Sequence, residues 1–457
     1  MNWYKSLGWV GLIALSTSCD SLFLEPEIPS DQIPSETAIQ TAEDAQNLLN
    51  ASYHETANYL GGQYQTLAEL LGDNLRINGS SGNLVQVYNR ASDFFNGDVG
   101  GHYATAYRAV YRANDIINRA DLDVVSDQMV AEARFLRGLA HLELVRLWAQ
   151  PYGYSADNSH DGIVISNSTD YTLVSRNTVA EVYAFVEEEL QFAEANLPAS
   201  NGFYATSWAA KAALARMYFQ MHDYANAATY ATDVIENGPF TWNTTDPNER
   251  YTLSGNSYDV TMYENVFTVV STSNIDNRSG FYRGNYNTEA AGPPFLRITN
   301  PFGAAVLADA NDGRGAWLEL TNEGDPNEFY GLNKFNSDVQ NNGVFTLTEM
   351  YLIAAESFAE EGNTASAVAN LNPVMLRAGL SGLSTGDALA TIILTAQAQR
   401  RIEFMGEGHR THDLKRLGSD GETISVRGSN WDCDGMVLQF PASEQSDNFN
   451  MNPEGGC

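Results

Sequence analysis

One spacing occurs twice in this chain and limits the folds that it can adopt. Tyr218 precedes Ala227 by nine residues, and Phe358 precedes Ala367 by the same interval. An aromatic ring on one helix and a small residue on the next are typical of antiparallel helices that pack closely. Repeated units of this kind bury a continuous core only when they stack on one another, so the spacing predicts an array of helix pairs.

A polar turn falls where each helix pair must reverse, at His222-Asp223-Tyr224 and at Gly362-Asn363. The offsets resemble those of the tetratricopeptide repeat, whose unit is a helix, a turn and a second helix. The matching positions are Leu214, Ala215, Val234 and Pro239 in the first unit and Ala355, Leu371 and Val374 in the second. A weaker unit is predicted with Gly138 and His141 on its first helix and Val186, Leu190, Ala193 and Pro198 on its second. The alternative is a helical bundle with coincidental spacing.

The stretch from Ala131 to Ala149 carries the strongest helical pattern in the chain. Its apolar residues cover more than one face of the helix, which predicts a helix packed between neighbours rather than one at the surface. A helix is also expected from about residue 102 to 120. Another is expected over Ala45–Tyr53, where the preceding Thr41-Ala42-Glu43-Asp44 resembles an N-terminal cap.

Three stretches lack helical periodicity and are rich in Gly, Asn and aromatic residues. Residues 72–101 are predicted to be loop, residues 240–345 to be a loop-rich insertion with short strands near Val266–Val270, and residues 431–457 to be irregular. So long an insertion in a compact protein is usually functional. The predicted fold class is mainly α, with helix pairs packed against a loop-rich half that contains a few short strands.

The N-terminus has the pattern of an export signal. Lys5 precedes a short apolar run, Leu7 to Leu15, and three small residues lead into Cys19. The run is too short to span a bilayer, so residues 1–18 are predicted to be a lipoprotein signal peptide and Cys19 the lipidated residue. Residues 19–35 contain three prolines and are predicted to be a lipidated tether. The alternative is an ordinary signal peptide with an incidental cysteine.

The net charge restricts the class of partner. The chain has 57 acidic and 25 basic residues and a formal net charge of −32. Such a surface repels phosphate backbones, so we expect no nucleic-acid partner. The same repulsion favours neutral glycans over sulfated or uronic ones, unless Arg283 and Arg297 form a local basic patch.

Cys433 and Cys457 remain after Cys19 is assigned to the lipid, and both lie near the end of the chain. An exported protein keeps disulfides, so we predict a bridge between them, with free thiols as the alternative. No Cys/His spacing of a zinc site is present, and we expect no metal and no cofactor. Asp309, Asn311 and Gly313 only weakly resemble a calcium loop, because the glycine falls one place early.

Four segments of the chain resemble the SusD/RagB-like nutrient-binding outer-membrane lipoproteins. They are Cys19 with Leu24-Glu25-Pro26-Glu27, Arg112-Ala113-Asn114-Asp115-Ile116-Ile117, the helix from Glu132 to Trp148, and the C-terminal signature from Arg400 to Arg416. The resemblance implies a SusD-like domain over residues 36–457. Within it we expect a helical scaffold at about 36–239 and 346–418, a ligand-side insertion at 240–345 and a tail at 419–457.

The resemblance also implies a role. Family members are anchored by lipid in the outer membrane and face the exterior. They bind an oligosaccharide or polysaccharide fragment and deliver it to a SusC-like TonB-dependent outer-membrane transporter, without catalysing a reaction. One alternative is a peptide-binding RagB-like lipoprotein of the same uptake type. A second is a surface glycoside hydrolase, although no pair of carboxylates in the sequence stands out as its acid and nucleophile.

Two loop regions carry the mixture of side chains that binds sugars. Aromatic rings stack on the apolar faces of sugars, while amide, carboxylate and guanidinium groups pair with the hydroxyls. The first region contributes Asp73, Asn74, Arg76, Asn78, Tyr88 and Asn96. The second contributes Phe281, Tyr282, Arg283, Asn285, Tyr286 and Arg297, followed by Trp317 and Tyr330.

The C-terminal signature also concentrates titratable groups, Glu407, His409, His412 and Asp413. Their spacing does not match a metalloprotease motif. Glu407 and Asp413 each have an arginine three residues later, Arg410 and Arg416, at the interval of neighbours on a helix. We therefore expect a structural ion network here.

Overall fold

The computed structural model describes residues 39–170, 174–244, 246–247, 264–270, 280–290, 292–335 and 341–457. The predicted signal peptide, Cys19 and the tether lie outside these residues. The helices are α1 Ala42–Leu60, α2 Gln63–Leu71, α3 Asn83–Tyr88, α4 Gly97–Ile117, α5 Asp127–Trp148, α6 Val179–Asn196, α7 Ser207–Gln220, α8 Tyr224–Asn237, α9 Gly280–Tyr286, α10 Asn300–Val306, α11 Leu347–Glu360, α12 Thr364–Arg377, α13 Leu389–Glu403 and α14 Arg410–Ser419.

The long helices form an array in which each packs on the next. Helix α1 packs on α4, α4 on α5, α5 on α6, α6 on α7, and α7 on α8. Helix α8 then packs directly on α11, which also contacts α12 and α13. The loop-rich insertion therefore leaves the array after α8 and returns at α11 without interrupting the stack. The predicted mainly α fold of stacked helix pairs is confirmed.

The two repeated turns have the same backbone geometry. His222 has a φ of 61° and Gly362 a φ of 76°, the left-handed conformation that reverses the chain between the paired helices. The next residue caps the second helix in each unit: Asp223 accepts from the N–H of Asn226, and Asn363 from the N–H of Ser366, both at 3.1 Å. Short polar caps satisfy N–H groups that the first helical turn leaves unpaired.

Helix α5 is buried on nearly all sides over its C-terminal two thirds. Its closest neighbour is α6, and Gly138 lies where the two helices approach most tightly. A Cβ atom added at Gly138 would lie 2.9 Å from the Cβ of Glu189. Arg137 Nε donates to a carboxylate oxygen of Glu189 at 2.7 Å, which ties the pair together. The helix pair predicted for this part of the chain, α5 with α6, is therefore present.

The strands belong to small antiparallel sheets. They are β1 Leu75–Ile77, β2 Asn265–Val269, β3 Leu296–Ile298, β4 Leu318–Thr321, β5 Phe329–Leu332, β6 Asn342–Thr346, β7 Ser425–Val426 and β8 Ser429–Asn430. One sheet has the order β1-β3-β5-β4, and two others pair β2 with β6 and β7 with β8. Strand β2 coincides with the strand expected near Val266–Val270.

The expectation that residues 72–101 are only loop is wrong. This segment contains β1, α3 and the first residues of α4. The reason is local burial: Leu75 is buried where β1 pairs with β3, and Val85 and Val87 bury one side of α3. Short apolar pairs among many polar residues carry too little periodicity for the sequence to reveal them.

Candidate ligand-binding face

The two predicted loop regions meet in the four-stranded sheet. Strand β1 from the first region pairs with β3 from the second, so that Arg76 and Arg297 are direct partners across the strands. The N–H of Asn78 donates to the carbonyl of Phe295 at 2.8 Å, which extends the pairing beyond β1. One face of this sheet is buried through Leu75, Leu296 and Ile298. We call the opposite side, which carries Arg76, Arg297 and Phe329, the arginine face.

Both arginines of this face are half-exposed and held by backbone carbonyls. Arg76 donates through Nη2 to the carbonyl of Glu328, and its Nε is buried without a partner. Arg297 donates through Nε to the carbonyl of Pro294 at 3.1 Å. Burial, and then the charge of Arg76, lowers the pKa of Arg297. The face therefore presents two like charges side by side.

Aromatic rings accompany the arginines. The guanidinium of Arg297 lies 3.9 Å from the ring centroid of Phe329, a cation–π contact that fixes its orientation. Phe295 is half-buried beside Gly79, where an added Cβ would lie 2.6 Å from the ring. Arg427 covers the ring of Tyr88 in the same way, at 4.2 Å. Rings and hydrogen-bond donors thus lie together at one surface.

Among the residues that the structure describes, Phe95 has the most exposed large apolar side chain, at 76%. It follows Phe94 in the loop between α3 and α4, and the two ring centroids lie 4.4 Å apart. The sequence pattern placed both rings in the first loop region, yet they were not among the predicted ligand contacts. An exposed aromatic pair in a Gly/Asn-rich segment was the signal that could have identified them.

Asp73 and Asn74 support the arginine face from beneath. Asp73 accepts from Arg410 Nε at 2.6 Å and Nη2 at 3.0 Å. Burial alone would raise the pKa of Asp73, but the bonds from Arg410 outweigh it and hold that pKa below its usual value. The buried Asn74 accepts from Arg401 Nε at 2.8 Å. These side chains already have protein partners, so their position is structural.

Asn96 is also occupied, because it forms the N-cap of α4. Its Oδ1 accepts from the N–H of Val99 at 3.1 Å, and its Nδ2 donates to the carbonyl of Asn83 at 3.0 Å. Only 3% of the residue is exposed. Its predicted role as a ligand contact therefore does not match its position.

Four predicted aromatic contacts lie in the core instead. Tyr282 stacks on Phe335 with centroids 4.1 Å apart, and Tyr282, Tyr286 and Trp317 are each no more than 2% exposed. Tyr330 is also buried, on the inner side of β5 against Gly303. Stacking on a ligand requires an open ring face, so this correction applies to all four. Composition alone predicted that these amphipathic rings contact sugar, because their burial is visible only in the fold.

The remaining predicted residues of the second region lie on the short helix α9. Phe281, Arg283 and Asn285 are half-buried there. The side chain of Asn285 donates to the carbonyl of Phe281 at 2.7 Å. Among the predicted residues of the second region, Arg297 is therefore the one that lies directly beside a predicted residue of the first region, Arg76.

A separate groove of about 310 Å³ lies between α4 and the C-terminal tail. Tyr103 and Tyr107 form its base, with Val164 and Asp170 on one side and Glu444 on the other. Burial raises the pKa of Glu444 above its usual value. None of the predicted ligand contacts lies in this groove, and no motif in the sequence indicated it.

The C-terminal signature forms the expected ion network, but with different partners. Glu407 accepts from Lys334 Nζ at 2.7 Å, and Asp413 accepts from Arg400 Nε at 2.8 Å. Arg410 binds Asp73, and Arg416 donates to Glu356 at 2.6 Å. The predicted pairs three residues apart are therefore wrong. Glu407 precedes α14, and the side chains within α14 reach other elements instead.

The histidines of this signature are buried. Burial, and then nearby arginine charges, lowers the pKa of both His409 and His412 well below the usual value. Within the part of the chain that the structure describes, no group of three or more His, Cys, Asp or Glu side chains could hold a metal ion. The predicted pair Cys433 and Cys457 forms a disulfide, with 24 residues of sequence separation.

Among the described helices, none combines the length and apolar character needed to cross a membrane.

Two family models match the chain. Residues 22–219 match SusD-like_3, described as "Starch-binding associating with outer membrane", and residues 306–453 match SusD_RagB, described as "SusD family". The chain is also 24% identical over 385 residues to SusD-like protein P25 of Formosa agariphila, covering 68% of this chain and 69% of that protein.

Solved structures share the fold. A SusD superfamily protein of Bacteroides thetaiotaomicron has a TM-score of 0.77 and 21% identity, covering 91% of this chain and 100% of that one. A laminarin-binding SusD-like protein has a TM-score of 0.73 and 21% identity, with the same coverage. The second family match begins within the insertion, and the two matches together span most of the chain. The chain therefore belongs to the SusD/RagB-like family.

Proposed function

We propose that this chain is a cell-surface lipoprotein that binds an oligosaccharide or polysaccharide fragment and delivers it to a SusC-like TonB-dependent outer-membrane transporter. Family membership carries the proposal, since the first matching family is described as starch-binding and associated with the outer membrane. The laminarin-binding structural neighbour supports the same class of ligand.

The arginine face supports glycan binding by its composition. Sugars need apolar rings for their CH faces and fixed donors for their hydroxyls. The half-buried Phe295 supplies a ring here, while the buried Phe329 only orients Arg297. Arg76 and Arg297 supply donors whose positions are set by contacts to the sheet. The exposed Phe95 on the neighbouring segment provides a further stacking surface.

The carboxylates of the core offer no comparable support for the hydrolase alternative. A glycosidase needs two carboxyl groups that face a substrate cleft. Glu143 and Glu349 are both bound by Arg216, at 2.9 and 2.6 Å. Glu403 is bound by Arg314 and Arg377, each at 3.1 Å. Carboxylates held by buried arginines are structural ions, so these observations favour binding without cleavage.

Affinity electrophoresis in native gels tests this proposal. The whole chain, purified in mild detergent, is run through gels that contain laminarin, starch, alginate or carrageenan. We expect retardation by at least one polysaccharide without its breakdown. We expect F95A to reduce the retardation, while the control L394A, which removes another strongly exposed apolar side chain from α13, should not.

The alternatives predict other results in the same assay. If no polysaccharide retards the chain but a peptide panel binds, the peptide-binding RagB-like alternative holds. Breakdown of the retarding polysaccharide would support the hydrolase. Equal retardation of wild type and F95A would place the ligand away from the α3–α4 loop.

Lipid anchoring is proposed from the N-terminal pattern. We expect C19A to release the protein from the membrane fraction into the soluble fraction, because the variant has no thiol to acylate and a single N-terminal anchor holds the chain. Immunoblotting of the two fractions measures this. Membrane attachment that persists in C19A would show that Cys19 is not the anchor.

Delivery to a transporter is tested by association. The chain is expressed together with a SusC-like TonB-dependent barrel from the same organism, and the barrel is purified through its own tag. We expect the chain to copurify with the barrel. A barrel that purifies without the chain, from cells in which both are present at the surface, would contradict delivery through a stable complex.

A further inference from the structure

We propose that Arg76 and Arg297 bind an anionic group, a carboxylate or a sulfate, on the captured glycan. The inference rests on the proposed glycan-binding function and specifies its substrate class. It reverses the preference for neutral glycans that the net charge of −32 suggests. A local pair of cations at the contact surface outweighs a distant negative field that salt screens.

The first argument is the register of the sheet. Arg76 and Arg297 are direct partners in the antiparallel pairing of β1 and β3. Side chains at directly opposite positions lie on the same face with Cβ atoms about 5 Å apart, and like charges there are destabilising. This arrangement does not stabilise the free protein, but an anion bound between the two guanidinium groups would offset the repulsion between them.

The second argument is the lack of a neutralising carboxylate. Among the described residues, no carboxylate forms an ion pair with Arg76 or Arg297, whose side chains donate to backbone carbonyls instead. Glu328, whose carbonyl accepts from Arg76, directs its carboxylate to Asn300 at 3.4 Å and to the N–H of Gly324 at 2.9 Å. Nη1 of Arg76 and both Nη atoms of Arg297 form no hydrogen bond within the described residues. Donors thus remain available to a ligand.

The third argument is the surplus of positive charge beneath the face. Asp73 is shared by Arg410 and Arg401, with Arg401 Nη2 at 3.3 Å from its carboxylate. Arg90 and Arg427 also lie within the electrostatic reach of Asp73. Glu69 also lies within the electrostatic reach of Arg401 and Arg410. Two carboxylates among four guanidinium groups still leave a local surplus of positive charge, which attracts anionic ligands to this part of an acidic protein.

The geometry suits a charged sugar rather than a free anion. Phe329 holds the Arg297 guanidinium at 3.9 Å, and Phe295 lies at the edge of the same strand pair. A pyranose ring can stack on an aromatic side chain while its acidic substituent receives the paired donors. Arginine binds carboxylate and sulfate oxygens with two parallel hydrogen bonds.

The test compares charged and uncharged polysaccharides. The whole chain in mild detergent is run in native gels that contain alginate, which carries only carboxylates, carrageenan, which carries only sulfates, or uncharged laminarin. We expect retardation by alginate or carrageenan that weakens when salt rises from about 0.05 to about 0.5 M. The polysaccharide that retards the chain identifies the anionic group.

Substitutions at Arg76 and Arg297 test whether these two residues bind the anionic polysaccharide. We expect R76Q/R297Q to bind the anionic polysaccharide at least about tenfold more weakly, because charge-assisted hydrogen bonds are the strong ones. The double variant R76K/R297K, which keeps both charges, should retain part of the affinity. The control R108Q removes one charge from the outer side of α4, where Arg108 is half-exposed beside Glu55, and should bind as wild type does.

Thermal unfolding separates loss of binding from loss of folding. The melting temperature of R76Q/R297Q should equal or exceed that of wild type, since the substitution removes a like-charge contact. Retardation by laminarin alone, unchanged in R76Q/R297Q, would overturn the inference and leave the proposed glycan binding intact. Retardation by alginate or carrageenan that R76Q/R297Q does not weaken would overturn it too. If no polysaccharide retards the chain, both this inference and the proposed glycan binding are overturned.

Discussion

Glu69 lies beneath the arginine face and is fully buried. It accepts the N–H of Gly408 at 3.0 Å, but burial outweighs this bond and raises its pKa to about 7. Between pH 4.5 and 7 the folded protein therefore holds a proton that the unfolded chain has released. The free energy of unfolding falls as the pH rises through this interval, by up to about 3 kcal/mol, and the loss remains above pH 7.

E69Q removes this titration while keeping an oxygen for the Gly408 N–H. We expect the variant to gain stability relative to wild type at pH 8, and to show little gain at pH 4, where Glu69 is already protonated in both states. Urea titrations at the two pH values measure the difference. The control E323Q removes a charge from an exposed loop. If E323Q gives the same difference, the burial of Glu69 is not its cause.

Arg216 is the second residue whose environment determines stability. It is buried, and it bridges Glu143 of α5 and Glu349 of α11. We expect R216M to lower the free energy of unfolding by about 3–5 kcal/mol, because it removes a counter-ion from two buried carboxylates. Glu143 keeps Arg146, but Glu349 is left with Arg400 at 3.9 Å. Urea unfolding measures the change.

R108M is the matched control for R216M. Arg108 also pairs with a carboxylate, Glu55, at 3.4 Å, but its side chain is 53% exposed. Exposed pairs contribute at most about 1 kcal/mol, so R108M should have a small effect. If R216M and R108M lose similar amounts of stability, burial does not determine how much an ion pair contributes to the free energy of unfolding.

At the scale of the element, the approach of α5 to α6 depends on Gly138. Because an added Cβ would lie 2.9 Å from Glu189 Cβ, G138A must push the helices apart or displace Glu189 from Arg137. We expect a loss of about 1–3 kcal/mol, the usual result of overpacking. Thermal or urea unfolding measures it.

Gly101 in α4 provides the opposite case. It is exposed, and nothing lies within 4 Å of the position that its Cβ would take. G101A should therefore stabilise the protein by up to about 1 kcal/mol, since alanine is the better helix former. If G138A is as harmless as G101A, the two helices are not in tight contact at residue 138.

The helices could be predicted from the sequence because their signals are local. The nine-residue spacing, the caps at Asp223 and Asn363 and the two-sided apolar pattern of α5 all lie within short stretches of chain. The family signature then supplied the order of the elements. What remained open were the contacts that depend on how distant stretches meet.

The candidate site shows this limit residue by residue. Tyr282 and Arg297 come from the same Asn- and aromatic-rich stretch, yet one ring is buried against Phe335 and one guanidinium lies on the surface. Composition is the same around both, and only the fold separates them, because Tyr282 lies on the inward side of α9 and Arg297 on the outward side of β3. The partner of Arg416 was mispredicted for a similar reason, since the buried Glu356 lies 60 residues away in the chain.

At the scale of the whole molecule, the C-terminal tail closes over the end of α5. The N–H of Leu438 donates to the carbonyl of Leu147 at 2.8 Å, and Asn452 Nδ2 donates to the carbonyl of Trp148 at 2.8 Å. The disulfide between Cys433 and Cys457 joins the two ends of this segment. The tail is irregular in backbone but is part of the packed structure.

We expect C433S/C457S to lower the free energy of unfolding by about 3 kcal/mol, the loop-closure entropy of a segment of this length. Unfolding of oxidised wild type against the variant measures the loss. Reduced wild type should behave as the variant does, which provides the control. If dithiothreitol lowers the melting temperature of the variant as much as that of wild type, the disulfide is not the source of the effect.

The bridge at Arg216 also determines when the molecule can finish folding. Its partners lie 73 residues before it and 133 residues after it in the chain. During synthesis the N-terminal helices appear first, and the bridge from Glu143 through Arg216 to Glu349 cannot be completed until α11 has been made. Contacts between such distant stretches slow folding, so the interior closes last of all. The chain therefore remains incompletely folded until α11 has been made, and the proposed export of this protein through a narrow channel requires such a state.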